Sequence, residues 1–236
     1  MANLIFAWLV HLYTALGAVV GLYTILAIDE SNFRLAFFLM AVTVIIDATD
    51  GALARAARVK EVIPWFDGAL LDNLVDYLNY VIVPCLFLLR AGLLPPQDAL
   101  WLAALPALSS AYGFCQRDAK TADHFFLGFP SYWSIVFFYF YTLQTALWIN
   151  AFLIIILSIL VFVPMRFIYP SRAPRFRYST NVLGALWGAA VLYLIYRLPV
   201  PPRSLLLASL LFPAYYMALS LWLELRRILA HDGSSI

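Results

Sequence analysis

Long apolar runs separated by short polar breaks constrain this sequence more than any other feature. A helical run of about 17 to 25 apolar residues matches the thickness of the bilayer core. Because 64% of the 236 residues are hydrophobic and 12% are charged, a water-soluble domain could not bury this much apolar surface. The runs lie at 4–27, 32–56, 68–90, 97–116, 130–145, 148–166, 179–197 and 204–226. The sequence therefore predicts an all-α, polytopic integral membrane protein with about eight transmembrane helices.

The basic residues predict how these spans are oriented. With the N-terminus in the cytosol, the cytosolic side holds Arg55, Arg58, Lys60, Arg117, Lys120, Arg166, Arg172, Arg175, Arg177, Arg226 and Arg227. The opposite side holds Arg34, Arg90, Arg197 and Arg203. This asymmetry is typical of the positive-inside rule. It predicts that the second span ends, and the third begins, at the cytosolic face.

The rest of the chain gives few signs of additional structure. The fifth and sixth runs are short and adjacent, so seven spans is the alternative count. No soluble domain or repeat interrupts the runs, and we expect a single domain over residues 1–236. The first run lacks the basic start and cleavage site of a signal peptide, so we expect it to be retained. Cys85 and Cys115 lie inside apolar runs and imply no disulfide framework. We expect no nucleic-acid partner.

Residues 47–76 contain six of the 13 acidic residues of the chain. Asp47 and Asp50 close the second run, and Asp72 and Asp76 open the third. On a helix, the two acids of each pair lie on one face. Four carboxylates at the edge of apolar runs would repel one another unless a cation lay between them. The window has no His or Cys, and oxygen ligands suit Mg²⁺, Mn²⁺ or Ca²⁺ rather than zinc.

Small residues and an arginine accompany these acids. Gly51, Ala54 and Gly68 lie on the same helix faces, where they let a ligand approach the backbone closely. Arg55, about one turn past Asp50, can bind a phosphate through two hydrogen bonds. A cation held by carboxylates keeps open positions for phosphate oxygens. The combination predicts a pocket for a substrate that bears a pyrophosphate, and its place at the membrane surface indicates a lipid-linked one.

The spacing of these residues resembles the signature of the CDP-alcohol phosphotransferases. In this chain it reads Asp47-x2-Asp50-Gly51-x2-Ala54-Arg55, followed by Gly68-x3-Asp72-x3-Asp76. The resemblance implies transfer of a substituted phosphate from a CDP-linked donor to an alcohol, with one or two Mn²⁺ or Mg²⁺ ions held by the four aspartates. It also implies that Asp76 is the catalytic base and that the protein forms a homodimer. The spacer 56–67 is longer than is usual in the family, and we interpret it as a longer cytoplasmic loop.

The resemblance also assigns the residues around the donor. Those expected to contact CDP-diacylglycerol are Gly51, Ala54, Arg55 and Gly68. In the first run, His11-x2-Thr14 is similar to an Asn-x2-Thr pattern that lies near the nucleotide in this family, with His in place of Asn. A helix-packing role is the alternative for this pair.

The loop between the fourth and fifth runs has a narrower resemblance. Residues 120–133 read Lys-Thr-Ala-Asp-His-Phe-Phe-Leu-Gly-Phe-Pro-Ser-Tyr-Trp and are similar to the same loop in a bacterial branch of the family. That branch condenses CDP-diacylglycerol with choline at the cytosolic face of the inner membrane and releases CMP. Serine, glycerol phosphate and inositol phosphate are the alternative acceptors. A cation-coupled transporter is the alternative from a different class.

Choline has a quaternary ammonium group, which proteins commonly hold with aromatic faces and a nearby carboxylate. The candidates for this pocket are Tyr112, Asp123, His124, Tyr132 and Trp133. Core packing or a place in the interfacial aromatic belt is the alternative for each aromatic. Lys120, in the same loop, is the remaining candidate for binding CDP-diacylglycerol, with a solvated loop residue as the alternative.

Overall fold

A computed structural model of the chain describes residues 2–116, 125–168 and 177–232. The helices are α1 (Ala2–Asp29), α2 (Phe33–Ala56), α3 (Val59–Val62), α4 (Gly68–Tyr77), α5 (Val83–Arg90), α6 (Ala99–Cys115), α7 (Trp133–Leu143), α8 (Leu147–Leu160), α9 (Arg177–Tyr196), α10 (Arg203–Ser209) and α11 (Leu211–Asp232). A π-helical turn, Leu78–Ile82, joins α4 to α5 without a break. Two strands, β1 (Phe125–Leu127) and β2 (Arg166–Ile168), pair antiparallel.

The predicted membrane protein is confirmed. Among the described residues, five helical segments are long and apolar enough to cross a bilayer: Asn3–Asp29, Phe33–Ala56, Gly68–Arg90, Tyr178–Tyr196 and Arg203–Arg227. Three shorter apolar helices, Ala99–Cys115, Trp133–Leu143 and Leu147–Leu160, coincide with the remaining predicted runs. Large apolar side chains on these shorter helices face outward, as Trp101 does with 78% of its surface exposed. The number of spans that cross the membrane stays a prediction of eight.

A short strand pair departs from the all-α prediction. Phe126 pairs with Phe167 at the centre of the two strands. Gly128 follows β1 with φ +80°, and a Cβ there would collide with the backbone carbonyl of Val161. Its N–H donates to the carbonyl of Met165 at 2.9 Å. Glycine tolerates both the positive φ and the close approach, so it lets the strand pair pack against the end of α8.

The last predicted span is divided into α10 and α11 at Leu210. Pro213 lies three residues after Leu210. Proline has no backbone N–H to donate to a helix hydrogen bond, and its ring would clash with the carbonyl four residues before it. A new helix therefore begins at Leu211, with Pro213 in its first turn, where the missing N–H removes no helix hydrogen bond.

The spacer 56–67 packs against α1 instead of extending away from the bundle. Arg58 adopts a left-handed conformation, with φ 48° and ψ 45°, and turns the chain at the end of α2. The helix α3 follows, and Val59 and Ile63 are buried in a small apolar cluster with residues of α1. This cluster covers apolar surface near the start of α1 and holds the spacer against that helix.

The helix α2 divides the interior into an apolar and a polar part. Phe37 packs on Phe87 of α5, with ring centroids 4.7 Å apart, and belongs to the main buried core. Farther along the same buried face the residues become Thr43, Ile46 and Asp50. The predicted acidic site therefore begins where the main apolar core ends.

The helices α1 and α4 run parallel and in close contact. From the start to the end of the contact, the paired positions are His11 with Gly68, Gly17 with Val75, and Gly21 with Asn79 of the π-helical turn that follows α4. Because a three-residue turn joins α1 to α2, the end of α2 returns to the start of α1. The beginnings of α1 and α4 and the end of α2 therefore lie together, as the sequence predicts.

We expect Gly17→Ala to destabilise the protein. A Cβ at Gly17 would lie 2.7 Å from Cγ1 of Val75, so α1 and α4 would have to separate. Overpacking of this kind costs about 1–3 kcal/mol, which corresponds to a fall in melting temperature of about 3–10 °C. Thermal unfolding in detergent measures the shift. Gly188→Ala is the matched control, because a Cβ there meets no atom within 4 Å among the described residues; an equal loss in both variants would contradict the packing argument.

Candidate metal and phosphate site

Three of the four predicted aspartates converge between α2 and α4. One carboxylate oxygen from each of Asp47, Asp50 and Asp72 lies within 4.8 Å of the other two. Asp50 is buried, with 6% of its surface exposed, while Asp47 and Asp72 are half-buried. Two oxygen ligands on opposite sides of one divalent ion lie about 4.2–4.8 Å apart, given metal–oxygen distances of about 2.1–2.4 Å. The donor set and its spacing therefore fit a hard divalent cation.

The fourth predicted aspartate, Asp76, lies in the same cleft. It lines this cleft together with the other three acids and is half-buried. Its carboxylate is outside the group of three that lie within 4.8 Å of one another. The structure thus brings all four acids into one cleft and brings three of them to mutual ligand distance.

A hydroxyl from α1 contacts the most buried acid. Thr14 donates from Oγ1 to Oδ2 of Asp50 at 2.8 Å, and both side chains are buried. A neutral hydroxyl satisfies one lone pair but does not neutralise the charge, and a buried uncompensated carboxylate is costly. Thr14 therefore lies next to the acids, its predicted role toward the nucleotide stays a prediction, and Asp50 is placed where a cation would stabilise it.

Tyr80 is a site residue that the sequence prediction omits. Its hydroxyl donates to Oδ2 of Asp47 at 2.8 Å from within the π-helical turn. The signal for it is a continued spacing of four residues, from Gly68 through Asp72 and Asp76 to Tyr80. Among the described residues, eleven line the cleft, namely Thr14, Gly17, Thr43, Ile46, Asp47, Asp50, Asp72, Val75, Asp76, Asn79 and Tyr80.

The residues predicted to contact phosphates lie at the end of α2 and the start of α4. Arg55 is exposed, and its Nη1 lies 3.4 Å from the point where a Cβ at Gly51 would be. The guanidinium therefore lies over Gly51, the residue that follows Asp50. Gly68 is the first residue of α4, and Ala54 packs against the apolar cluster of the spacer. An exposed guanidinium beside an acidic cluster at a helix end is a suitable place for a pyrophosphate.

His11 is buried at the contact between α1 and the start of α4. It is 7% exposed, and its ring centroid lies 4.5 Å from that of Phe66 and 5.9 Å from that of Trp8. Its Nε2 is buried and has no hydrogen-bond partner within the described part of the chain. The imidazole also lies against Gly68, where a Cβ would come within 2.5 Å of its Cε1. The predicted helix-packing role is thus present, and the role toward the nucleotide stays a prediction.

The candidates for the choline pocket have different surroundings. Trp133 is fully buried, and its indole N–H donates to Oγ of Ser110 at 2.8 Å. Tyr132 is half-buried, with its ring 6.0 Å from that of Tyr216. Tyr112 is 48% exposed near the end of α6. Lys120, Asp123 and His124 lie outside the described residues.

The fold and the site define a class of protein. The chain is an integral membrane helix bundle in which carboxylates from two helices meet at a cleft beside an arginine. This arrangement matches the CDP-alcohol phosphotransferase pattern of the sequence. No family model matches the chain. Comparison with characterised proteins gives the more specific result.

The chain is similar to bacterial phosphatidylcholine synthases over most of its length. It is 43% identical over 223 residues to the phosphatidylcholine synthase of Legionella pneumophila, which covers 92% of this chain and 88% of that protein. It is 33% identical over 220 residues to that of Pseudomonas aeruginosa, covering 93% and 92% of the two chains. Identity reaches 52% over 156 residues with that of Legionella bozemanae, covering 66% and 72%. The chain therefore belongs to the phosphatidylcholine synthase family, and the predicted family is confirmed.

Proposed function

We propose that this chain transfers the phosphatidyl group of CDP-diacylglycerol to choline, giving phosphatidylcholine and CMP. The observation that carries this proposal is the convergence of Asp47, Asp50 and Asp72 on one cleft in a member of this family. The relatives' shared name describes the product, and the cleft accounts for a reaction at a pyrophosphate. The acidic residues lie at the ends of two candidate membrane spans, where a lipid-linked substrate and a water-soluble one could both bind.

The residues of the cleft fit one or two Mn²⁺ or Mg²⁺ ions. Asp47, Asp50 and Asp72 would hold the first ion, and Asp76 is the fourth predicted ligand in the same cleft. When bound, such an ion neutralises charge on the pyrophosphate and on the departing CMP. The support is the chemistry of the donors, which are all oxygen atoms.

Two groups of residues would bind the donor substrate. Arg55, lying over Gly51, would bind the pyrophosphate through its guanidinium. His11, beside Gly68, has a buried ring nitrogen that would accept or donate a hydrogen bond to the nucleotide. Both groups flank the acids at the same end of the helix bundle, as one elongated headgroup requires.

Asp76 would act as the base for choline. Its carboxylate would take the hydroxyl proton, the hydroxyl oxygen would form a bond to the phosphatidyl phosphorus, and the bond from that phosphorus to the CMP oxygen would break. A base must be close to the acceptor but need not be a primary metal ligand. Asp76 lines the cleft while lying outside the group of three carboxylates, which suits this division of roles.

Among the choline-pocket candidates that the structure describes, Tyr112 has the most exposed aromatic surface. We expect Tyr112→Ala to raise the KM for choline about fivefold, because a cation over an aromatic face contributes about 0.5–2 kcal/mol. Choline-dependent CMP release measures this change. Trp101→Ala is the matched control, since Trp101 is also exposed on α6 but lies near its other end. An unchanged KM in Tyr112→Ala would remove Tyr112 from the pocket.

We also propose that the cleft faces the cytosol from the inner membrane of a bacterium. Arg55, Arg58 and Lys60 lie at the end of α2 and in the spacer that follows it, on the same side as the acids. Basic residues concentrate on the cytosolic side of such proteins. We further propose a homodimer, as the family resemblance implies.

An assay of CMP release tests the proposed function. The purified protein would receive CDP-diacylglycerol, Mn²⁺ and, in turn, choline, serine, glycerol phosphate or inositol phosphate. We expect release with choline alone among these acceptors. CMP release with another alcohol and none with choline would overturn the assignment of choline as the acceptor. Cation uptake into liposomes that does not depend on CDP-diacylglycerol, with no CMP release, would favour a transporter.

A further inference from the structure

We propose that Tyr80 is a positioning residue that fixes the metal ligand Asp47, and that the π-helical turn Leu78–Ile82 brings it into place. The inference rests on the proposed metal-dependent function. It concerns a residue outside the acidic pattern, and it gives the unusual turn a role in the site.

The contact between Tyr80 and Asp47 links two helices across the cleft. The hydroxyl of Tyr80 donates to Oδ2 of Asp47 at 2.8 Å, and the two residues are 33 positions apart in the sequence. A hydrogen bond to one oxygen restricts rotation of the carboxylate, and so fixes the direction of the lone pairs that a metal would use. Such partners around metal ligands commonly change metal affinity by about 10- to 100-fold when they are removed.

The residue before Tyr80 anchors the same turn to another helix. Asn79 is 4% exposed, and its Nδ2 donates to the carbonyl of Gly17 in α1 at 3.0 Å. A Cβ at Gly21 would lie 2.5 Å from Oδ1 of Asn79, so α1 approaches the turn closely. Consecutive side chains therefore fix the turn to α1 through Asn79 and to α2 through Tyr80.

The π-helical turn explains how Tyr80 reaches the acids. Residues spaced by four, such as Asp72, Asp76 and Tyr80, advance about 40° around a regular α-helix at each step. A π-helical turn closes its hydrogen bonds over five residues and is therefore wider, which reduces this drift. The turn begins at Leu78, directly after α4, so it acts on Tyr80 and leaves the α-helical geometry of the acids unchanged.

Tyr77 provides a matched comparison within the same span. Its hydroxyl donates to the carbonyl of Ala107 in α6 at 2.9 Å, and its side chain is half-buried like that of Tyr80. Replacing either tyrosine with Phe removes one hydrogen-bonded hydroxyl and keeps the ring. The two variants differ in the acceptor that loses its donor, which is a carboxylate for Tyr80 and a helix carbonyl for Tyr77.

The test is a titration of the purified protein with Mn²⁺ in the absence of substrates. The electron paramagnetic resonance signal of free Mn²⁺ measures how much of the ion is bound at each step. We expect Tyr80→Phe to weaken Mn²⁺ binding about tenfold. We expect Tyr77→Phe to stay within about twofold of the wild type. In an Asp47→Ala background, which removes the acceptor of the Tyr80 hydroxyl, Tyr80→Phe should have little further effect on Mn²⁺ binding, because the two changes act through one contact.

Each outcome decides the inference. Mn²⁺ binding of wild-type strength in Tyr80→Phe, or equal weakening in both Tyr→Phe variants, overturns it. If the wild-type preparation also releases CMP with choline, those outcomes leave the proposed function intact. A wild-type protein that neither binds Mn²⁺ nor releases CMP overturns both.

Discussion

Replacing Asp50 with Asn is expected to lower kcat/KM for phosphatidyl transfer by about a thousandfold. Asn keeps the shape of the side chain and can still accept the hydrogen bond from Thr14, but it removes a negative charge from the group of three carboxylates. The stabilisation that a bound metal ion gives to developing charge is worth several kcal/mol, and about 4 kcal/mol corresponds to this factor. Choline-dependent CMP release would measure the loss of activity, and a Mn²⁺ titration would measure the accompanying loss of metal affinity.

Asp67→Asn is the matched control for this prediction. Asp67 lies in the same acidic window, but it is exposed and caps α4, accepting hydrogen bonds from the N–H groups of Ala69 and Leu70. Asn caps helices about as well as Asp, so the activity should stay within about twofold. An Asp50→Asn variant with more than about a tenth of the wild-type activity would contradict the metal-ligand role of Asp50.

Replacing Asp76 with Asn is expected to reduce kcat by about a thousandfold while CDP-diacylglycerol still binds. General bases contribute about 10²–10⁴-fold to rate, and the amide cannot take the proton from choline. Turnover under saturating substrates and the KM for CDP-diacylglycerol would separate the two effects. The Mn²⁺ affinity of this variant should fall less than that of Asp50→Asn, because the Asp76 carboxylate lies outside the group of three.

Either of two results would contradict the role proposed for Asp76. Near-normal turnover of Asp76→Asn would remove it as the base. A loss of Mn²⁺ affinity as large as that of Asp50→Asn would make it a primary ligand instead. Either result would leave the convergence of Asp47, Asp50 and Asp72 unaffected.

Much of the candidate site could be predicted because helical periodicity places residues three or four apart on one face. That rule, together with the unfavourable energy of carboxylates near apolar runs, was enough to predict the pairs Asp47 and Asp50 on α2 and Asp72 and Asp76 on α4 as site residues. The packing of α1 against α2 brings the hydroxyl of Thr14 to Asp50, and the family resemblance had predicted Thr14 to lie near the nucleotide.

The remaining features depend on local backbone geometry and on long-range packing. The π-helical turn that contains Tyr80 is linked to α1 and α2 by hydrogen bonds from Asn79 and Tyr80, and periodicity within one helix does not reveal those contacts. Trp133 was predicted for the choline pocket, and its burial against Ser110 depends on how α6 and α7 pack. The strand pair joins segments about 40 residues apart, so no local alternation of apolar and polar residues indicates it.

The most direct test of the central claim is a Mn²⁺ anomalous difference map from crystals of the protein soaked with MnCl₂ and CDP-choline, whose CDP group matches that of the donor. The account predicts a peak between the carboxylates of Asp47, Asp50 and Asp72, with the pyrophosphate of the nucleotide beside it and beside Arg55. A map with no peak at these carboxylates, or with Mn²⁺ bound elsewhere while the pyrophosphate occupies the cleft, would contradict it.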